Sequence, residues 1–305
     1  MKLSLIMPTY NRLALLEQVL QGLLVQSFRN FEVIVAVDGG TDGTIAMLEA
    51  FGRRVAGSGF ELRVLSLLHG GRSAARNAAV RVAAGQVLVF VDDDVLLEPD
   101  ALARHAAFHE VHGLSPGCVA IGPLRFPDGV LRLPQRPGWV NFSGANASVP
   151  LNAALEVGLF NESLGGYGGE DLEFGLRLER AGLKFWALPD AGASHLGPRV
   201  VGREKARSAG YQAVMIAQRY GVRVGLQLGV NPLLGLLKRA ILNPLGDVLL
   251  GDHPGYVFER AYLQGAREAH RELRARGESV VTDNARKDGQ RDDRQDDRQD
   301  DDGGT

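Results

Sequence analysis

A single cysteine, Cys118, stands in a chain of 305 residues. One thiol cannot build an internal disulfide framework, so the sequence fits a reducing compartment. Long apolar runs are missing as well. No uncharged apolar stretch reaches the roughly 18 residues that a spanning helix needs. Residues 3–7 are apolar, but Pro8 ends the run short of a signal-peptide core. The expectation is therefore a cytoplasmic protein. The Asn-x-Ser triplets that begin at Asn141, Asn146 and Asn161 are then read as chance matches. Basic excess is also lacking. A formal net charge of -2 argues against a nucleic-acid surface, because phosphates must be neutralised by cations. Two phosphate-binding signatures are absent in turn. No Gly-x-Gly-x-x-Gly follows the first apolar run, which speaks against a dinucleotide cofactor, and the missing Gly-x-x-x-x-Gly-Lys-Ser/Thr speaks against a phosphate-loop kinase or ATPase.

What is present is ordinary in bulk and informative in pattern. Hydrophobic content of 45% and charged content of 23% suit a soluble globular protein with one large domain or two modest ones. The first half alternates strand-like and helix-like segments. Strands are expected at 3–7, 31–37, 62–67 and 87–91. Helices are expected at 12–25, from Thr44, at 73–84, and from Pro99 to about His112. Such alternation predicts a parallel sheet wrapped by helices. Further on, 116–137 reads as short strands and loops, 143–149 as a strand, and 151–157 as a short helix. A helix at 170–181, a strand at 185–188, helical sequence from about Arg203 to Tyr220, and a terminal helix at 257–276 follow.

The polar residues of the first half gather after the strands. Pro8-Thr9-Tyr10-Asn11-Arg12 follows the first, and Asp38-Gly39-Gly40-Thr41-Asp42-Gly43-Thr44 the second. His69-Gly70-Gly71-Arg72 leads to Arg76-Asn77 after the third, and Asp92-Asp93-Asp94 follows the fourth. The carboxyl edge of an open parallel sheet is where ligands bind, so four polar loops on one edge point to a nucleotide site. Asp92 and Asp94 can both offer oxygen to one hard cation, Mg²⁺ or Mn²⁺, beside a phosphate. Taken alone, an Asp triplet after a strand is more often a solvated turn. A second block, Gly165-Gly166-Tyr167-Gly168-Gly169-Glu170-Asp171, runs a glycine loop into two acids at a helix start. Those acids either complement the helix dipole or supply a general base toward a hydroxyl. His195, in a loop-like stretch, becomes a third metal ligand only if the fold returns it to Asp94.

As an ordered set these segments resemble the family-2 glycosyltransferases of the GT-A fold. The landmarks are Ser4-Leu5-Ile6-Met7-Pro8-Thr9-Tyr10-Asn11-Arg12, Val37 to Thr44, Ala75-Arg76-Asn77-Ala78, Asp92-Asp93-Asp94, and Gly169-Glu170-Asp171-Leu172-Glu173 with Arg177. The segment Leu155 to Glu162 resembles the stretch that precedes the catalytic acids. The resemblance covers roughly residues 1–200. It implies an α/β, GT-A-type Rossmann-like sandwich with a mainly parallel central sheet and a C-terminal helical extension. A nucleotide-sugar half would occupy about 1–115 and an acceptor half about 116–218.

The same resemblance implies roles. Pro8, Thr9, Tyr10, Asn11, Arg12, Asp38, Arg76, Asn77, Asp92 and Asp93 would bind the nucleotide sugar. Thr9 and Tyr10 would flank the base, and Asp38 would contact it. Asp92, Asp94 and His195 would hold Mn²⁺ or Mg²⁺. Asp171 would be the base of an inverting transfer, with Glu170 assisting. The implied donor is a UDP-sugar first, with dTDP and GDP sugars as alternatives, and the acceptor a glycan, lipid-linked or other hydroxyl. Two positions depart from the pattern. Val37 stands where many members carry another Asp, and the usual basic residue after the middle strand is replaced near Pro150-Leu151.

Competing readings are a sugar-nucleotide pyrophosphorylase, an aspartyl-nucleophile phosphatase, and a nucleotide-sugar-binding protein without transferase activity. The first wants a basic Gly-rich loop after the first strand, where this chain has Pro8-Thr9-Tyr10-Asn11. The second wants Asp-x-Asp after its first strand, not its fourth. For residues 222–250 two readings stand: helices packed on the domain, or a peripheral contact at the inner membrane face, with apolar residues flanking Lys238-Arg239. Residues 219–281 form the expected helical extension. The Asp-Asp-Arg-Gln repeats within 282–305 have nothing apolar to bury, and that tail is expected to be disordered.

Overall fold

Successive side chains of a strand point to opposite faces, and in β1 (Leu3–Thr9) both faces are apolar. Leu3, Leu5 and Met7 enter one core, while Ile6 enters another. In β4 (Val87–Val91) the split is Val87, Val89 and Val91 against Leu88 and Phe90. A strand buried on both faces needs helices on both sides. The computed structural model, which describes residues 1–57, 61–114, 117–127, 129–131, 133–197, 202–231 and 254–278, supplies them. On the first face pack α1 (Leu13–Leu23), α2 (Thr44–Val55) and α4 (Ala101–His112). On the second lie α3 (Arg72–Arg81), α5 (Leu151–Glu156) and α6 (Glu170–Arg180). Phe90 anchors this second core, its ring edge-on to Phe142, Phe160 and Phe174 at 6.2, 5.3 and 6.0 Å.

The remaining strands are β2 (Phe31–Asp38), β3 (Glu61–Leu67), β5 (Val95–Leu97), β6 (Cys118–Ile121), β7 (Leu124–Phe126), β8 (Gly129–Leu131), β9 (Asn146–Pro150), β10 (Lys184–Ala187) and β11 (Ala193–His195). Seven strands form the main sheet in the order β10-β6-β9-β4-β1-β2-β3. Pairing is parallel except where β9 runs against β4 and β6. The expected mainly parallel sheet is present, and residues from both halves of the chain share it. A second sheet, β5-β11-β7-β8, was not anticipated. Its β11 corrects the loop expected around His195. The three-residue strands β5 and β11 are too short to show an alternating pattern, and their pairing in space, β11 with both β5 and β7, defines them.

Two buried histidines of α4 face β9. His105 meets Ser148 Oγ at 2.8 Å and Asn146 Oδ1 at 3.1 Å, and His109 Nε2 meets Ser148 Oγ at 2.8 Å. Burial holds both rings neutral, pulling His105 to about 4 and His109 to about 3. An unfolded chain binds protons at these rings below about pH 6.5 and the native one does not, so this share of stability is present above that pH and lost as pH falls. His109→Gln should therefore lose about 2 kcal/mol less than the parent chain between pH 7 and pH 5 in denaturant unfolding. Equal losses would show that His109 is charged in the native state.

The C-terminal described helices are α7 (Arg203–Tyr220), α8 (Val222–Gln227) and α9 (Pro254–Ala275). Helices α7 and α9 pack through Ala213, Val214, Ala217, Ala266, Ala269 and Leu273. Their backbones touch at two glycines. A Cβ on Gly265 would lie 1.8 Å from Arg207 O, and one on Gly210 1.9 Å from Tyr262 O. Gly265→Ala should force the helices apart and cost about 1–3 kcal/mol, read as a lower melting temperature. An unchanged melting temperature would mean that the crossing yields freely. Tyr220, at the end of α7, hydrogen-bonds Glu173 of α6, which ties this extension to the acid-bearing helix. Among the described residues no helix is long and apolar enough to cross a membrane. Most of the 222–250 segment and the 282–305 tail lie outside the described residues.

Candidate functional site

The polar loops converge as the sheet requires, and they are wired to one another. Asn11, with a left-handed φ of 50°, accepts the Thr41 backbone N–H at 2.9 Å through Oδ1. Asp42 accepts the N–H of Leu13 at 3.0 Å and the Thr44 hydroxyl at 2.6 Å, so one carboxylate caps the starts of α1 and α2 together. Asp38 accepts the N–H groups of Gly70 at 2.7 Å and Gly71 at 3.0 Å. Its carboxylate thus shapes the loop before α3. Tyr10 stands at this edge 48% exposed, its ring 4.6 Å from that of His69.

The Asp triplet divides into three environments. Asp93 is buried, accepting the Thr9 hydroxyl at 2.7 Å and Arg12 Nη1 at 3.1 Å. Burial pushes its carboxyl up to about 6, against the pull of Thr9 and Arg12. Asp94 takes Arg12 on one oxygen, while its other oxygen lies 3.5 Å from His195 Nε2. The pairing of His195 with Val95 across β11 and β5 brings that ring back. His195 Nδ1 lies 2.9 Å from Gly197 O and 3.1 Å from Gly197 N, contacts that hold the ring with Nε2 on the Asp94 side. Asp92 turns the other way and accepts Arg76 Nη2 at 2.8 Å.

Arg76 is the hub of the site. Its guanidinium, fully buried, bridges Asp92, Asp171 at 3.2 Å and Glu170 at 3.5 Å, with the Phe160 ring 5.2 Å away. Burial opposes its charge, but the three carboxylates overcome that and raise its pKa. Asp171 also accepts the Gly144 N–H at 3.0 Å. Burial lifts Asp171 to about 6, against Arg76 and with help from Glu170 and Asp92. Burial works the same way on Glu170, yet Arg72 and Arg76 outweigh it and hold its carboxyl below the ordinary range. Side-chain exposure of 24% for Asp171 and 27% for Asp92, against 6% for Glu170, makes the first two the acids a ligand can reach.

Several anticipated contacts sit beneath the surface. Pro8 is buried within β1, and Thr9 and Asp93 are engaged with each other. Asn77 is buried, holding Phe160 O and Glu162 Oε1 at 2.9 and 2.7 Å and accepting the Phe160 N–H. These residues frame the cleft. Asp92 is drawn to Arg76 and Asp94 to Arg12, so among the described residues no three His, Cys, Asp or Glu side chains form a metal-holding group. Asp94 and His195 form a pair, and Asp92 is engaged through one oxygen by Arg76. Sequence reasoning missed Gly144, where a Cβ would lie 2.6 Å from Arg76 Nη2. Nothing in its neighbours Ser143 and Ala145 signals that contact. It also passed over Arg72, 3.2 Å from Glu170, though the glycine pair before it marked the place.

The glycosyl transferase family 2 model matches residues 4–141, the span that holds Tyr10, Asp38, Arg76 and the Asp triplet. Over that stretch the chain is similar to the family 2 glycosyl transferases. The chain is 30% identical over 228 residues to validoxylamine A glucosyltransferase of Streptomyces hygroscopicus subsp. jinggangensis, covering 59% of this chain and 52% of that one. It is 33% identical over 114 residues to the poly(ribitol-phosphate) beta-N-acetylglucosaminyltransferase TarS of Staphylococcus aureus, covering 37% of this chain and 19% of that one. The chain spans about half the length of the glucosyltransferase relative. Among solved structures, the mannosyltransferase PcManGT of Pyrobaculum calidifontis, in complex with GDP-Man and Mn²⁺, superposes with a TM-score of 0.65 at 19% identity, over 87% of this chain and 86% of that one. S. aureus TarS 1-349 in complex with UDP-GlcNAc gives 0.53 at 20% identity, over 92% and 93%. These likenesses establish the GT-A fold. Within the matched span the sheet edge carries the loops, and Glu170 and Asp171 reach it from beyond that span.

Proposed function

We propose that this chain is an inverting glycosyltransferase that moves a sugar from a nucleoside diphosphate donor to an acceptor hydroxyl, with Asp171 as general base. The observation that carries the reading is Asp171 itself: partly open, raised to about 6, and held in place by Gly144 and by Arg76, which it shares with Asp92 of the triplet. A base poised near neutral pH suits proton removal from a hydroxyl. The acceptor oxygen attacks the anomeric carbon, the bond from that carbon to the diphosphate breaks, and the acceptor proton passes to Asp171. Attack opposite the leaving group inverts the anomeric centre.

Tyr10, open at the edge beside His69, offers a face to the base. Asp38 serves by fixing the loop of Gly70 and Gly71. Asp94 and His195 would hold a divalent ion beside the donor's diphosphate, and an imidazole in the set would favour Mn²⁺ over Mg²⁺. When bound, that ion neutralises charge on the departing diphosphate. The nucleotide-sugar complexes of TarS and PcManGT support this donor class, with a UDP-sugar as first choice. The acceptor is a glycan, lipid-linked or other hydroxyl compound.

The test is a melting-temperature screen of UDP-glucose, UDP-GlcNAc and GDP-mannose with Mn²⁺ or EDTA, because a ligand bound only by the native state raises apparent stability. A metal-dependent rise followed by diphosphate release on adding acceptor is the expected result. No rise with any donor would sink the reading, and a rise without turnover would leave a binding protein.

A further inference from the structure

One side chain interrupts the glycine loop that leads into the catalytic acids. Gly166 and Gly168 adopt φ of 95° and 75°, and the loop lies close on α7. A Cβ on Gly166 would meet Ser208 Oγ at 2.6 Å, and one on Gly169 would meet Gln212 Cβ at 2.8 Å. The Tyr167 N–H donates to Ser208 Oγ at 2.8 Å. So fixed, the Tyr167 ring is a post with a cation on it from each of two helices. Arg72 of α3 lies 5.7 Å from its centroid and Lys205 Nζ of α7 lies 5.0 Å from it. Arg72 is shared with Glu170 at 3.2 Å. Lys205 is exposed and has no carboxylate partner among the described residues.

We propose that Arg72 and Lys205, spaced by Tyr167, form a subsite for an anionic group on the acceptor, so that the sugar-accepting molecule carries a phosphate or carboxylate. This rests on the glycosyltransferase reading. The physical case is charge separation. Asp92 and Asp171 repel an anion, whereas the cations at Tyr167 attract it. A molecule with a hydroxyl at one end and an anion at the other is thereby oriented, hydroxyl toward Asp171. Charge-assisted contacts of this kind are the stronger class of hydrogen bond.

The test uses the full chain with UDP and Mn²⁺ at saturation, so that the donor's diphosphate position is filled. Glucose, glucose 6-phosphate and glucuronate are then titrated by calorimetry. The parent chain should bind either anionic probe at least about tenfold more tightly than glucose, a difference of about 1.4 kcal/mol. Lys205→Ala should abolish that preference with UDP affinity within about twofold. Tyr167→Phe, which keeps the post, should retain the preference, and Tyr167→Ala should lose most of it. Equal or undetectable binding of the three probes by the parent chain overturns the subsite. So does a fivefold or larger loss of UDP affinity in Lys205→Ala, which would assign that cation to the diphosphate. If UDP fails to bind the parent chain, the donor reading falls by itself. The probe titration without UDP still decides the subsite.

Discussion

Asp171→Asn should lower turnover by about 10²–10⁴-fold, the usual effect of removing a positioned base, while donor binding stays near that of the parent chain. The amide keeps the shape of the carboxylate and can still accept the Gly144 N–H, which lies 3.0 Å away in the native site. It cannot take the acceptor's proton. Loss of turnover with retained donor affinity is therefore the signature of chemistry rather than of assembly. The parent pH profile carries a linked expectation. Asp171 titrates at about 6, so turnover should fall as pH drops through that value, because the base must be ionised to act. A variant with near-parental turnover in single-turnover experiments would remove Asp171 from the mechanism.

Arg76→Met should be the most destabilising change in the site. The guanidinium is fully buried and stands between Asp92, Glu170 and Asp171. Removing the cation leaves three carboxylates facing one another with their shared counter-charge gone, and breaking a buried ion pair in this way costs about 3–5 kcal/mol. Like charges drawn together also make each harder to ionise, so in whatever protein still folds the acid limb of activity should move to higher pH. Gly144→Ala tests the same contact from outside, since its Cβ would come within 2.6 Å of Arg76 Nη2. Denaturant midpoints for both variants that match the parent would show that the hub does not hold the site together.

Legibility along the chain followed the range of the forces involved. Strands β1, β2 and β4 were readable because they are mostly apolar and buried along their whole length, as strands covered on both faces must be, whereas the edge strand β3 carries Arg63 and Ser66 and is only partly buried. The helix α6 was readable for the same local reason, with acids in its first turn and apolar residues at helical spacing. Within the loops, residue type suggested ligand contacts that the structure assigns to the framework. Thr9 and Asp93 satisfy each other, and Asn77 closes on Phe160 and Glu162. Polar residues at a sheet edge read alike whether they meet a ligand or one another. Buried polar groups require partners in either case.

The amino-acid pattern by itself determined the alternating sheet, the edge where the acids stand, and the helix start that bears Asp171. Periodicity and abrupt changes of polarity are local, and short-range physics suffices to read them. Only the tertiary structure decided which acid meets which cation. Arg76 and Asp171 are 95 residues apart and Arg12 and Asp93 are 81 apart, while His195 returns to Asp94 through the pairing of two three-residue strands. Contacts of that separation exist once the whole sheet has closed, and no local pattern records them. The division of labour among the carboxylates is a property of the fold.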